Sequence, residues 1–429
     1  MRRRGSDRLR GRSTQRGRDA ENNNDMKTTA VSLAISLAIS SAISIAAIPV
    51  KAQNSRTEAR ALWVTRFDYD SEAKIARIME TAAKANFNIV YFQVRASGDA
   101  YYRSKIEPCA ARLCGKLGGT PKYDPLEVAV REGRRRGLEV HAYLNALTAR
   151  PAGIEGECKP IPEPDPGNPR HILLEHPEWV MSDRRGRRLP CPNGEEYVWL
   201  SPSFPGVRTQ LARVAADIAR RYDIDGIHLD RIRYPGNAWS WDPASRAEFG
   251  KDPDRNPAEW RAYRTDLVNR MVRETFDSVT AVKPHLAYSA AVWGIYFDKW
   301  QWKTLAGTTD LMQDSRAWAR DGYMDILVPM TYSRIKAPCA RIDWGCMLDE
   351  QLGSERDTGR HMYIGIDASK GAREVVNQVR MARTRGATGM ALFSYSALAN
   401  TGAFALLGST VFSEPAGVPA MPWKTQATH

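Results

Sequence analysis

Alternating apolar and polar positions mark the strands of this chain. In residues 88–95, Val90, Phe92 and Val94 fall on one face, and Tyr91, Gln93 and Arg95 fall on the other. Residues 138–145 set Leu138, Val140, Ala142 and Leu144 against Glu139, His141, Tyr143 and Asn145. Residues 225–230 repeat the division, with Ile227 and Leu229 opposite Gly226, His228 and Asp230. Successive side chains of a strand point to opposite faces, so each segment has one apolar and one mixed face. Burying the mixed face costs free energy unless His228 and Asp230 find partners there. An outward apolar face under helices and an inward face that turns polar accounts for all three segments.

Further strands are predicted over 61–66, 285–292, 325–332, 361–366 and 389–394. Helical periodicity covers 71–86, 125–136, 207–222, 258–282, 310–320 and 371–385. Eight strands with intervening helices predict an α/β fold, a (β/α)8 TIM barrel with long loops at its C-terminal face. A doubly wound open sheet is the alternative, but no Gly-rich phosphate loop follows the first strand. In a barrel, Gln93, Arg95, Asn145 and Asp230 would ring the C-terminal mouth, where such folds place their chemistry. Asp225 and Glu139 lie toward the opposite ends.

Two N-terminal segments change the charge picture. Residues 1–25 hold eight Arg against four acids, and 26–52 add Lys27 and Lys51 with no acid. Together they supply +6 of the net +13, and the remaining +7 is spread thinly along the chain. A nucleic-acid footprint is therefore not expected. Lys27, the apolar run 30–48 and Val50-Lys51-Ala52 read as a signal peptide over 26–52 with cleavage near Ala52–Gln53. Residues 1–25 then form a non-structural extension, 53–408 the barrel, and 409–429 a flexible Pro- and Ala-rich tail. The protein is expected to be periplasmic or secreted, with no stable membrane anchor after cleavage. All six Cys follow the signal and fall in close pairs: Cys109 and Cys114, Cys158 and Cys191, Cys339 and Cys346. Six Cys allow 15 connectivities; local pairing that staples three loops is the simplest, and export favours disulfides over zinc.

The loops over the mouth are rich in aromatics. Residues 146–205 carry Trp179 and Trp199, 236–257 carry Trp239 and Trp241, and 293–302 carry Trp293, Tyr296, Trp300 and Trp302. Aromatic faces suit stacking on sugar rings, although many such residues simply pack loops onto a barrel. Polysaccharide or oligosaccharide is the ligand class this favours.

The ordered motifs carry a resemblance. Glu58-Ala59-Arg60-Ala61-Leu62-Trp63-Val64 is followed by Tyr91-Phe92-Gln93-Val94-Arg95, Gly98-Asp99-Ala100-Tyr101-Tyr102 and His141-Ala142-Tyr143-Leu144-Asn145. Asp225-Gly226-Ile227-His228-Leu229-Asp230, Tyr234-Pro235, Gln313-Asp314 and Val328-Pro329-Met330-Thr331-Tyr332 complete the set. Over roughly 56–400 these resemble the glycosyl-hydrolase-like 10 family of bacterial exported proteins. The resemblance implies a TIM barrel that cleaves glycosidic bonds, with peptide-free peptidoglycan strands as the best substrate class; no cofactor is expected. The chain departs from the family pattern at Arg231, where a second acid is frequent.

Glycoside hydrolysis generally needs two carboxyl groups. Asp230 is the first candidate, and Asp314, after the fifth strand, is the second. An ion pair with Arg95, Arg231 or Arg233 is the structural alternative for Asp230, and helix capping is the alternative for Asp314. Asp367 and Asp68 are reserves that also suit turns. Gln93, Arg95, Asn145, His228, Arg233, Trp293 and Tyr332 are the candidate substrate-binding residues. Two further readings stay open: a catalytically silent glycan-binding protein, and a metal-dependent hydrolase built on His228, Asp230 and His141.

Overall fold

The computed structural model describes residues 56–151, 160–188, 197–336 and 339–425. Its helices form where apolar spacing and a capping residue coincide. Helix α1 (Glu72–Lys84) begins where the Ser71 hydroxyl accepts from the Lys74 N–H at 3.4 Å, and it buries Ile75, Ile78, Met79 and Ala82. Helix α2 (Pro125–Arg134) combines Pro at its first position with Asp124, whose carboxylate accepts from the Leu126 and Glu127 N–H groups. Both are ordinary N-terminal signals.

Eight parallel strands close a barrel in chain order: β1 (Ala59–Val64), β2 (Ile89–Arg95), β3 (Glu139–Asn145), β4 (Gly226–Asp230), β5 (Ala287–Trp293), β6 (Ile326–Met330), β7 (His361–Asp367) and β8 (Gly389–Phe393). After α1 and α2, the helices that follow successive strands are α3 (Pro205–Arg221), α4 (Pro257–Thr280), α5 (Ser315–Arg320), α6 (Trp344–Thr358), α7 (Ala372–Thr384) and α8 (Ala403–Ser409). The (β/α)8 expectation holds. Val90, Phe92 and Val94 pack outward with the helices, whereas Ala59, Ala61, Ile89, Tyr91, Tyr143 and Tyr363 fill the interior. Gly226 faces inward too. A Cβ there would lie 2.5 Å from His141 Nδ1 and 2.7 Å from the Ala287 carbonyl, so only glycine fits.

Three expectations change. The predicted helix 310–320 is interrupted: residues Gly307–Asp310 form a short turn of helix and α5 starts afresh at Ser315, capped by Asp314. Helix α6 went unpredicted, because Gly345 and Gly353 and a cysteine-bridged entry weaken its pattern. The tail beyond 409 is packed through its described part. Ala416–Gly417 pair with Arg56–Thr57, Phe412 is fully buried with the Arg60 guanidinium 4.5 Å from its ring, and the Trp423 indole donates to Asp325 at 2.7 Å. Deleting residues 410–429 is expected to cost about 3 kcal/mol or more, the scale of losing one buried aromatic. Urea denaturation reads this directly, and an unchanged midpoint would show the segment to be dispensable.

Disulfides join Cys109 to Cys114 and Cys339 to Cys346. Cys158 and Cys191 lie outside the described residues, as do residues 1–55 with the predicted signal peptide.

The N-terminal end of the barrel is locked by charge. Glu58 is buried and accepts from Arg60 Nε at 2.7 Å and from Arg383 Nε and Nη2 at 2.6 Å. Burial pushes the Glu58 carboxyl upward, but the bonds from Arg383 and Arg60 outweigh it and hold the group below its ordinary value. Glu58→Gln leaves the buried Arg60 and the partly exposed Arg383 without their shared carboxylate and is expected to cost about 3 kcal/mol. With the folded value depressed, this stabilisation is complete at neutral pH and fades as pH falls through that value. Denaturation midpoints followed from neutral to acid should converge for the two proteins, and parallel curves would contradict the assignment.

Candidate active site

Strand β4 delivers Asp230 to the C-terminal rim. Its Oδ2 accepts from the Tyr143 hydroxyl of β3 at 2.8 Å, and its Oδ1 accepts from the Arg231 N–H at 2.6 Å. Register explains the first bond: Tyr143 pairs with His228 and Asn145 with Asp230, so Tyr143 stands one inward step below the carboxylate. The second requires the chain to turn immediately, and Arg231 adopts a left-handed φ of 54°. A side chain in that conformation costs about 1–2 kcal/mol. The return is a half-exposed carboxylate fixed on both oxygens.

Two tyrosines flank this group. Burial, together with the Asp230 charge, pushes the Tyr143 hydroxyl well above its usual range, so it remains a donor. Tyr332, just past β6, is raised by burial and by the charges of both Asp230 and Asp367. Asp367, the last residue of β7, stands on the same mouth. Asp367 accepts from the Ser369 N–H and pairs with Lys370 at 3.0 Å. The Tyr332 ring stacks on Phe393 at 5.7 Å, and Phe393 meets Trp63 edge-on at 6.0 Å, forming an aromatic wall.

Arginines and aromatics alternate on the other side. The Arg231 guanidinium lies 5.1 Å from the Tyr197 ring centre, and Arg66 donates to the Tyr197 hydroxyl at 3.2 Å. Arg233 lies 5.3 Å from the ring centres of both Trp199 and Trp293. Guanidinium over an aromatic face is attractive and holds both planes in place. Tyr197 and Trp199 come from Tyr197–Trp199, a strand that pairs with Thr148–Pro151 and folds the long loop back over the rim.

A third carboxyl follows β1. Asp68 Oδ2 accepts from the Thr65 N–H at 2.6 Å and the Thr65 hydroxyl at 2.9 Å. Burial nonetheless raises it above the ordinary aspartate value, against these bonds and those from Ser396. Beside it Phe67 is 61% exposed, with the Arg66 guanidinium 4.2 Å from its ring. Across the barrel, in the loop after β5, Phe297 is 54% exposed and Trp300 stacks on Trp302 at 4.2 Å.

Of the sequence candidates, Asp230, Arg233, Trp293 and Tyr332 meet at the mouth. Gln93 and Asn145 line its wall, both buried; Gln93 bonds the Arg66 N–H and Asn145, and Asn145 bonds the Ala96 carbonyl. Three candidates need correction. Arg95 turns away at a bulge in β2 and is buried against Glu107 and the carbonyls of Asn145 and Ala146, so it does not reach a substrate. His228 is fully buried one layer below, stacked on Tyr91 at 3.9 Å. Its Nε2 accepts from the Trp63 indole at 3.0 Å and its Nδ1 faces the Ser289 hydroxyl at 2.9 Å; burial holds its pKa far down. A neutral histidine with both nitrogens engaged supports the floor and is no metal ligand, which removes the metal reading of His228, Asp230 and His141. Asp314 caps α5 through the Ala317 N–H and accepts from the Tyr296 hydroxyl at 2.5 Å. That is the helix-capping role.

Sequence reasoning missed Tyr143 and Tyr197. Tyr143 lay on the inward face of the pattern, two residues before Asn145, but which neighbour it meets depends on strand register. A large groove of about 780 Å³ runs between α3 and α4, lined by Arg213, Asp217, Arg220, Glu274 and Asp277. It lies on the helical wall, not at the strand ends.

A parallel barrel with acid residues and aromatics at its C-terminal rim suits carbohydrate chemistry but hosts many others, and sequence comparison supplies the class. The model of the glycosyl hydrolase-like 10 family matches residues 58–382; the chain belongs to that family and is by class a glycoside hydrolase. Among curated relatives, glycosyl hydrolase YngK of Bacillus subtilis (strain 168) is 27% identical across 88% of this chain and 77% of its own length. Glycosyl hydrolase DigH of Escherichia coli (strain K12) is 23% identical across 74% and 75%. The glycoside hydrolase domain of PgaB (BpsB) from Bordetella bronchiseptica superposes with a TM-score of 0.60 at 14% identity, covering 82% of this chain and 98% of that one. The catalytic domain of the β-amylase from Paenibacillus polymyxa gives 0.56 at 11% identity, covering 87% and 97%.

Proposed function

We propose that this protein is an exported enzyme that hydrolyses glycosidic bonds in bacterial cell-wall glycan, the peptide-free strands of peptidoglycan. The observation that carries the reading is Asp230, fixed on both oxygens at the rim of a barrel whose mouth is walled by Tyr332, Phe393, Trp293 and Arg233. Cleavage of a glycosidic bond needs a proton on the leaving oxygen and a carboxylate that attacks the sugar or activates water. Asp230 already accepts two hydrogen bonds, which suits the carboxylate role. Asp68 suits the proton donor, because burial keeps it protonated further toward neutral pH. Asp367 ends β7 and so lines the same mouth.

Long strands fit the outer features. Exposed aromatics follow β1 and β5, which are opposite positions in a barrel of eight, so a chain of sugars crossing the mouth would meet a ring on each side. The signal-like segment 26–52 supports export. The full chain incubated with peptide-free strands should release new reducing ends. Binding without release across neutral and acidic glycans would instead favour the glycan-binding alternative.

A further inference from the structure

The geometry points to the loop after β5, residues 295–307, as a second glycan-binding surface that grips the sugar chain away from the bond being cleaved. This rests on the hydrolase reading of the mouth and deepens it. The loop is closed at its base, where the Gly307 N–H donates to the Ile295 carbonyl at 2.8 Å and the Thr308 N–H to the Tyr296 carbonyl at 3.1 Å. Inside it, the Asp298 carboxylate accepts from the Trp302 and Lys303 N–H groups at 3.0 and 2.8 Å. Gln301 and Lys303 take left-handed φ values of 59° and 53°, which such residues keep only where their surroundings hold them. Trp302 completes the frame. It stacks on Trp300, and its indole donates at 2.9 Å to the carbonyl of Cys339, which is bridged to Cys346 at the start of α6.

This fixed frame shows apolar groups to water. Phe297 is 54% exposed and Leu305 46%, and with Phe67 they are the exposed large hydrophobic side chains among the described residues. Single exposed apolar residues need no explanation, but two on one rigid loop that begins at the mouth do. The loop is tied to the mouth by Trp293, which ends β5. Its indole donates to the Leu305 carbonyl at 2.7 Å, and its ring packs on the same small cluster of Ile295, Ala306 and Met347 as Trp300 and Trp302. Gln301 and Lys303 are exposed beside the two tryptophans, so hydrogen-bonding groups border the apolar ones. A sugar ring needs that mixture, a surface for its C–H face and partners for its hydroxyls. Protein-binding patches are broader and continuously apolar, whereas a polysaccharide can be held by one side chain per sugar. A chain that leaves the mouth past Trp293 and follows this loop meets Leu305 and Phe297.

The test is the dependence of kcat/KM on chain length, measured for the full chain with size-fractionated peptide-free peptidoglycan strands. In the wild type, kcat/KM should be about tenfold higher on long strands than on the shortest strand cleaved, the scale of one stacking contact. The double variant Phe297→Ala, Leu305→Ser should bring that ratio close to one, and the change should appear in KM rather than kcat. Both side chains are exposed, so the thermal midpoint should hold. A wild type that cleaves short and long strands equally well would overturn the inference. So would a variant that keeps the wild-type ratio. If the wild type cleaves no strand, the hydrolase reading fails separately, and calorimetry with long strands decides. Binding about tenfold weaker in the double variant supports the inference, and equal binding overturns it.

Discussion

Asp230→Asn is expected to lower kcat on glycan strands by about a thousandfold or more while leaving the fold intact. General acid–base groups contribute about 10²- to 10⁴-fold, and loss of a nucleophile costs at least as much. The amide is nearly isosteric, so it preserves packing against Tyr143 and retains an oxygen for the Arg231 N–H, but it cannot attack a sugar or accept a proton. The thermal midpoint should therefore move little. Tyr143→Phe separates positioning from chemistry: it removes the 2.8 Å bond but leaves the carboxylate, so its loss should be smaller, about tenfold to a hundredfold. Equal losses in both variants would mean that the phenol, rather than the carboxylate, carries the step.

The second large effect belongs to Asp68. As proton donor it must enter the reaction protonated, and burial raises its pKa above the ordinary aspartate value. Activity is then present below that raised value and lost as pH rises through it. Asp68→Asn should reduce kcat about 10²- to 10³-fold on natural linkages, whose leaving oxygens need a proton. It should also remove the alkaline limb of the pH profile. An activated aryl glycoside, whose leaving group needs little help, should lose far less. If Asp68→Asn keeps the alkaline limb on the natural substrate, the titrating donor is another group, and Asp367→Asn becomes the next variant to measure.

The fold was legible because strand alternation and helical spacing are local signals. The apolar faces of β2, β3 and β4, written in single runs of sequence, meet the helices as the alternation required. Depth below the rim was not legible. Alternation gives the face of a residue, but its layer depends on register between strands far apart in sequence. That is why His228 and Asp230, two residues apart on one face, divide into a sealed floor residue and a rim residue. Arg95 was misplaced for a related reason: a bulge between Gln93 and Arg95 redirects it to Glu107, and no residue pattern announces the bulge. Asp314 shows the opposite lesson. Its capping role was readable from its position before an apolar run, and that local physics describes what it does. Tyr197 reaches Arg66 and Arg231 only because its strand folds back from a long loop, a contact set by tertiary structure alone.

The chemistry assigned to Asp230 requires this mouth to break glycosidic bonds. Reducing ends released from peptide-free peptidoglycan strands by the full-length protein, measured beside the Asp230→Asn variant, test it most directly. New reducing ends should accumulate with the wild type and fall to background with the variant. Release by the folded variant at the wild-type rate would contradict it.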